Sequence, residues 1–188
     1  MSAESLGKGL VILDRDGVIN RDSAAFIKNE AEWQPIPGSI EAIAALTAAG
    51  FTLAVASNQS GIARGLFDQD ALDAMHAKML RLVHEADGRI GRIVVCPHGP
   101  DDACDCRKPK PGLLEQLARH FDTSLDDVPV IGDALRDLEA AAAVGARPIL
   151  VRTGKGRDTE ASLPEQFAGV PVYDDLAAAA RALIGEAA

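Results

Sequence analysis

Asp14 and Asp16 stand one residue apart at the end of an apolar run, Leu10-Val-Ile-Leu-Asp-Arg-Asp-Gly17. Like charges this close need a cation between them or a proton on one of them, and Mg²⁺ is a hard cation that binds through one or two carboxylates beside a phosphate. Three more stations follow in chain order. Ala56-Ser57-Asn58-Gln59-Ser60-Gly61 offers hydroxyl and amide donors that suit a phosphoryl oxygen, though the same composition also makes an ordinary turn. Arg107-Lys108-Pro109-Lys110-Pro111-Gly112 concentrates cations that either receive an anion or balance Asp101, Asp102 and Asp105 nearby. Val130-Ile131-Gly132-Asp133 ends in a carboxylate, and Asp137 follows one helical turn later on the same face. Asp14 and Asp133 at neighbouring strand ends would share one divalent ion, with Asp137 supporting them through a metal-bound water. A phosphate monoester resists attack because its own oxygens repel a nucleophile, so a site that hydrolyses one must gather positive charge.

All three cysteines fall in one stretch, Cys96-Pro97-His98-Gly99-Pro100-Asp101-Asp102-Ala103-Cys104-Asp105-Cys106. With His98 they form a C-x-H, C-x-C set. Three thiolates and one imidazole complete a tetrahedral Zn²⁺ shell with no open position, so the role is expected to be structural. A redox C-x-C pair is the rival reading, and it leaves Cys96 and His98 without a purpose. Cys104 and Cys106 directly precede Arg107 and Lys108, so a zinc knot would fix the cationic loop against the phosphate site. The remaining histidines, His76, His84 and His120, fall on predicted helices as surface or packing residues.

Such stations need a scaffold that brings strand ends together. Apolar runs at Leu10 to Leu13, Phe51 to Ala56, Ile93 to Cys96, Val128 to Ile131, Pro148 to Val151 and Val170 to Tyr173 read as strands. Helical patterns lie between them: Ser39 to Ala49, Asp68 to Ala86 with Asp68 as N-cap, Pro111 to His120, Ala134 to Val144, and Asp174 to Ile184. The alternation predicts a doubly wound α/β fold, a parallel sheet covered on both faces, with ligands at the carboxyl ends of the strands. Arg21 to Pro37, which holds the only Trp, reads as a loop or small flap placed to touch substrate, and Thr153-Gly-Lys-Gly156 as a flexible loop with one cation.

The chain has 188 residues, 47% hydrophobic and 25% charged, with a formal net charge of −9. That length supports a single domain over 1–188, with the zinc loop at 96–106, whose core needs no disulfides. The acidic balance argues against nucleic acid or an anionic membrane as partner, so any anionic substrate must be drawn by a local basic cluster. Met1 to Lys8 lack the apolar core of a signal peptide, and no stretch approaches about 18 uninterrupted apolar residues, so a cytoplasmic protein, expected to be a monomer, is the reading.

In this order the four stations resemble the four motifs of the haloacid dehalogenase superfamily, from Leu10 to about Val151. The resemblance implies a Rossmannoid fold and a phosphatase that works through an aspartyl phosphate. By it, Asp14 is the nucleophile, Asp16 the general acid and base, and Ser57 and Lys108 hold the transferring phosphoryl group. Asp133 completes the Mg²⁺ site with Asp14 and the backbone carbonyl of Asp16. The acid role requires Asp16 to be protonated near neutral pH, its pKa raised by repulsion from Asp14 and the phosphate.

The zinc loop ahead of R-K-P-x-P-G, together with L-D-R-D-G and S-N-Q-S-G-I-A-R-G, is similar to the D-glycero-D-manno-heptose 1,7-bisphosphate 7-phosphatases, a capless branch that serves ADP-heptose and lipopolysaccharide core synthesis. Histidinol-phosphate phosphatases of histidine biosynthesis are the sister branch. The resemblance implies a phosphorylated sugar as substrate, touched by Asp22, Ser23, Ala24, Ala25, Ser57, Asn58, Gln59, Ser60, Arg107 and Lys108, with Arg107 selecting the bisphosphate. Three departures stand out: a shorter zinc loop than in many members, Ser57 where threonine is common, and Ala134 where several members carry lysine. A receiver domain, which takes up one phosphoryl group as a signal, also uses Asp, Ser or Thr and Lys-Pro on such a sheet. The D-x-D-G on the first strand and the cysteine cluster disfavour it. A zinc-stabilised binding protein with a dead phosphatase site is a third reading, disfavoured by the full set of acids.

Overall fold

The computed structural model describes residues 7–187. Most of the Met1 to Lys8 stretch read for a leader thus lies outside the described residues. β1 (Gly9–Leu13) runs through the middle of a parallel sheet and is buried on both faces, which is why it reads as an unbroken apolar run. Successive side chains of a strand point to opposite faces. Val11 and Leu13 pack with α1 (Ser39–Ala48), α2 (Gln69–Glu85) and α6 (Leu176–Glu186) on one side. Leu10 and Ile12 pack with α3 (Gly112–Phe121) and α4 (Leu135–Ala142) on the other. Position 14 continues the second series, so Asp14 leaves the strand on the α3/α4 side.

The other strands are β2 (Phe51–Asn58), β3 (Arg92–Cys96), β4 (Pro129–Gly132), β5 (Arg147–Val151) and β6 (Val172–Tyr173), in spatial order β3-β2-β1-β4-β5-β6. Crossovers from β1 run one way and those from β4 the other, so the sheet's switch point falls between these two strands, where open α/β sheets bind ligands. Register carries the ladder to that point. Leu13 pairs with Ile131, and the Asp14 amide donates to the Ile131 carbonyl at 2.9 Å. Asp14 and Asp133 therefore end adjacent strands on either side of the crevice.

The expected strands and long helices are present, with shifted ends. Asp68 caps α2, its carboxylate accepting from the Ala71 amide at 2.9 Å, and Asp175 rather than Asp174 caps α6. β6 starts two residues later than its apolar run suggests, because Pro171 has no N–H for the ladder and gives only its carbonyl, to the Leu150 amide at 3.0 Å. Two features correct the sequence reading. Thr153 to Gly156 is not a free loop: it enters a short helix, α5 (Gly156–Ala161), and packs onto the end of β1. Trp33 is fully buried in the core with α1 and α2, so the centre of the 21–37 flap is packing rather than substrate surface. Among the described residues no helix is long and apolar enough to cross a membrane.

Candidate active site

At the switch point Asp14, Asp133 and Asp137 bring carboxylate oxygens within 4.8 Å of one another, and all three residues are buried. Lys108, 3% exposed, reaches into this cluster. Its Nζ lies 3.0 Å from Asp14 Oδ1 and 2.7 Å from Asp137 Oδ1, and donates to the Ala56 carbonyl at 2.7 Å. One positive charge faces three acids. Burial pushes Asp14 up to about 6 against the pull of Lys108, with Asp137 adding to the rise. Burial, then Asp14 and Asp137, push Asp133 up to about 7. Lys108 goes up too: its own burial opposes the charge, but Asp137 and Asp14 outweigh it. Asp133 Oδ1 is buried with no hydrogen-bond partner, while its Oδ2 accepts from the Lys155 amide at 2.8 Å. An oxygen-only cluster of three acids facing one lysine, with Asp133 Oδ1 and Asp137 Oδ1 buried and accepting no hydrogen bond among the described residues, fits a hard divalent cation such as Mg²⁺.

Local structure explains the placement. Gly17 (φ 84°) and Gly154 (φ 58°) pass so close to Asp133 that a Cβ on either would strike its carboxylate. Thr153 Oγ1 donates to the Gly17 carbonyl at 2.6 Å, and Thr159 Oγ1 to the Asp133 carbonyl at 2.9 Å. The segment after β5 thus clamps both acidic strand ends. Asp137 stands beside Asp14 and Asp133, where its Oδ2 accepts from the Ala134 amide at 3.1 Å and its Oδ1 lies 2.7 Å from Lys108 Nζ. Asn58 fixes the lysine from behind: its Oδ1 accepts from the Lys108 amide at 3.1 Å and its Nδ2 donates to the Lys108 carbonyl at 3.0 Å.

Asp16 sits in a different company. Arg15, only 1% exposed, donates to its carboxylate through Nε and Nη2 at 2.9 to 3.2 Å, Asn20 Nδ2 at 2.8 Å, and Gln59 Nε2 at 2.8 Å. Burial would raise Asp16, but the Arg15 charge and the bonds from Asn20, Arg15 and Gln59 outweigh it and hold the carboxyl below its ordinary range. The expected rise is therefore corrected for the substrate-free protein: Asp16 rests as a carboxylate. Gln59 also donates to Ser57 Oγ at 2.8 Å and accepts from Arg15 at 3.2 Å, tying the β2 station to the β1 station. His76 is more than a packing residue, because its Nε2 lies 3.4 Å from Arg15 Nη1, and burial together with that cation brings it down to about 4.

A cavity of about 350 Å³ opens beside these groups, lined among others by Asp16, Asp22, Ser23, Ala24, Asn58, Gln59 and Ser60, and by the cations Arg64, Arg107, Arg136 and Lys155. Ala25 is exposed and outside that lining; Phe26, held at φ 65°, lines the cavity in its place, with the Arg64 guanidinium 5.7 Å over its ring. Ser57 and Lys108 are buried behind it, Ser57 bonded to the lining residue Gln59 and Lys108 beside Asp14. Asp22 pairs with Lys155 at 2.7 Å across the mouth. The protein as a whole is acidic, so this concentration of cations is local.

Cys96, His98, Cys104 and Cys106 also converge, with donor atoms within 4.8 Å of one another. Cys96 Sγ lies 3.8 Å from Cys104 Sγ and 3.5 Å from His98 Nδ1, which is 3.3 Å from Cys106 Sγ. A tetrahedral zinc with sulfur at about 2.3 Å and nitrogen at about 2.1 Å sets such separations near about 3.8 and 3.6 Å. Burial pushes the Cys96 thiol up to about 12, as befits a thiol with no cation beside it. The donor set fits zinc in composition and spacing. The loop is joined to the site at both ends: Arg107 Nη1 donates to the His98 carbonyl at 3.2 Å, and the Gly112 amide to the Asp105 carbonyl at 3.2 Å.

Known proteins share this sequence and fold. A family model described as HAD-hydrolase-like matches residues 105–179. A Pseudomonas putida protein named D-glycero-beta-D-manno-heptose-1,7-bisphosphate 7-phosphatase is 58% identical over 176 residues, 93% of this chain and 99% of the relative. A Bordetella bronchiseptica protein of the same name is 53% identical over 180 residues, 95% of this chain and 99% of the relative. This chain belongs to that phosphatase family, within the haloacid dehalogenase superfamily. It is a phosphoric monoester hydrolase. A crystal structure of D,D-heptose 1,7-bisphosphate phosphatase from B. bronchiseptica, complexed with magnesium and phosphate, superposes with a TM-score of 0.91 at 53% identity, covering 95% of this chain and 99% of that one. The Burkholderia thailandensis enzyme gives a TM-score of 0.72 at 46% identity, covering 94% and 98%.

Five groups at the site escape a reading of the sequence alone: Arg15, Asn20, His76, Arg136 and the Thr153–Lys155 turn. Arg15 carried a signal, since a cation between two acids in D-R-D is placed to neutralise one of them. The Thr-Gly-Lys-Gly turn carried another, a glycine-rich strand exit beside the acidic ones.

Proposed function

We propose that this protein removes the 7-phosphate of D-glycero-β-D-manno-heptose 1,7-bisphosphate, with Mg²⁺ at Asp14, Asp133 and the Asp16 carbonyl, in the synthesis of ADP-heptose for lipopolysaccharide core. The observation that carries the reading is a cavity of about 350 Å³ beside Asp14, with five cations on its wall, Arg15, Arg64, Arg107, Arg136 and Lys155, in a chain of net charge −9. A substrate with two phosphates needs such a pocket; histidinol phosphate, with one phosphate and a cationic amine, does not. The relatives' names supply the sugar and its β anomer, and the magnesium and phosphate of the B. bronchiseptica structure support the cation.

In this reading Asp14 attacks the phosphorus and becomes an aspartyl phosphate as the sugar oxygen leaves. Mg²⁺, when bound, supplies positive charge to the phosphoryl oxygens and to Asp14. Lys108 and the Ser57 hydroxyl hold those oxygens from the other side. An arriving phosphoryl dianion repels the Asp16 carboxylate and shifts it toward its protonated form. Asp16 then gives that proton to the leaving oxygen and later takes one from the water that cleaves the aspartyl phosphate. Arg15, Asn20 and Gln59 keep the Asp16 carboxyl aimed through both steps. Zn²⁺ at Cys96, His98, Cys104 and Cys106 would hold Arg107 and Lys108 in place without touching the substrate.

The test is steady-state turnover of the β and α heptose bisphosphates and of histidinol phosphate, with and without Mg²⁺. The β heptose bisphosphate should win by orders of magnitude in kcat/KM. Preference for histidinol phosphate, or equal turnover after Mg²⁺ is removed, overturns the reading.

A further inference from the structure

We propose that Arg136 is the second arm, beside Arg107, of the seat for the phosphate that is not hydrolysed, and so sets the preference for a bisphosphate. This deepens the proposed function and rests on it. The cations of the cavity differ in what they already hold. Arg15 is spent on Asp16 and Gln59, Lys108 on Asp14 and Asp137, and Lys155 on Asp22. Arg107 uses one nitrogen on the His98 carbonyl, and Arg64 lies over Phe26. Arg136 lines the same cavity with no ion pair among the described residues, and its Nε is buried without a hydrogen-bond partner among them.

That idleness is not for want of acids. Asp137, Asp14, Asp133 and Asp22 all act on the Arg136 charge, yet none bonds it. Asp137 is taken by Lys108 and the Ala134 amide, and Asp22 by Lys155 and the Ser23 amide. A guanidinium that is mostly buried and donates to nothing is a site made for an anion that comes and goes.

Placement pairs it with Arg107. Arg136 directly precedes Asp137 and Arg107 directly precedes Lys108, and the 2.7 Å contact between Lys108 and Asp137 draws the two backbones together. Both arginines line one pocket. Each is held from behind, Arg136 by the first turn of α4 and Arg107 by the His98 carbonyl. Two forks facing one cavity suit a phosphate dianion, which accepts from both at once. In the proposed reading Ser57 and Lys108 hold the reacting phosphoryl group, so the idle arginine answers to the other end of the substrate.

The experiment compares kcat/KM for heptose 1,7-bisphosphate and heptose 7-phosphate in the wild-type enzyme, Arg136→Ala and Arg136→Lys, each checked for its unfolding midpoint. Loss of one charge-assisted contact should cut the bisphosphate-to-monophosphate ratio by about tenfold to a hundredfold in R136A, chiefly through KM. R136K, which keeps the charge but not the fork, should recover part of it and covers the case in which R136A fails to fold. An unchanged ratio, whether both substrates fall together or neither does, overturns the proposal and leaves the proposed function standing. A wild-type ratio near one overturns both.

Discussion

The carboxylate cluster at Asp14 and the thiol cluster at Cys96 each crowd like donors together, and they are assembled in opposite ways. The first draws on two strand ends, the first turn of α4 and the loop before α3, over residues 14 to 137, and lies wholly in the interior. The second comes from eleven consecutive positions, 96 to 106, most of them half-buried or exposed. The sheet and its two packed faces hold the carboxylates in place, with or without a cation. The thiol loop is framed at its ends, where the Cys96 and Pro97 carbonyls accept from the Gln59 and Ala63 amides and the Asp105 carbonyl from Gly112, while positions 100 to 103 between them are mostly exposed, so a metal there contributes to structure itself. A cation at Asp14 completes charge; a cation at Cys96 completes a loop.

The largest effect expected is at the first cluster. Asp14→Asn should lower kcat by about 10⁴-fold or more, as loss of a nucleophile does, while the zinc content stays at the wild-type level. Retention of a tenth of the activity would break the comparison at its stronger end. Magnesium and pH come next. Asp14 at about 6 and Asp133 at about 7 are raised above their ordinary values, so the folded protein binds protons more tightly than the unfolded chain. Without metal, stability therefore falls as pH rises from about 4 to about 7, by roughly 3 kcal/mol at most for Asp14 and roughly 4 kcal/mol at most for Asp133. Mg²⁺ should recover that loss, raising the unfolding midpoint by several degrees at pH 8 and by little at pH 5, with protons released on binding at pH 6. Equal shifts at both pH values would deny that these carboxylates hold the ion.

The smallest effect on turnover is at the thiol cluster. Cys104→Ser, or a chelator strong enough to strip zinc, should cost about tenfold to a hundredfold in kcat/KM. Hydrogen exchange should quicken over residues 96–112 while the central strands stay protected. Unchanged activity after complete loss of zinc would show that Lys108 is held by Asn58 and the acids alone, and would remove the loop from the account.

Sequence showed the acids and the thiols for different reasons. Asp14 and Asp133 end apolar runs that can only be buried strands, and the pleat then dictates where they point. The thiols are legible because their neighbours are local. Arg15 was not, since its burial depends on His76 from α2 and Gln59 from the turn after β2, contacts no local pattern carries. That omission also reversed the sense of the Asp16 shift in the protein without substrate: burial would raise it, but the Arg15 charge and three donors outweigh that. Thr153 to Lys155 reads as a flexible loop because its hold on Asp133 and Gly17 runs through a backbone amide, a hydroxyl and a close glycine approach, none of which has a period. Trp33 was misplaced for the same reason, a core side chain hung on a segment without repeat.

The central claim is that Asp14 carries the phosphoryl group in transit. Acid-quenched single turnover with substrate labelled in its 7-phosphate, followed by peptide mapping, tests it directly. The label should be found transiently on the peptide that contains Asp14, and vanish in D14N. A time course in which phosphate is released and no label ever joins the protein, or joins it at another residue, would contradict the account.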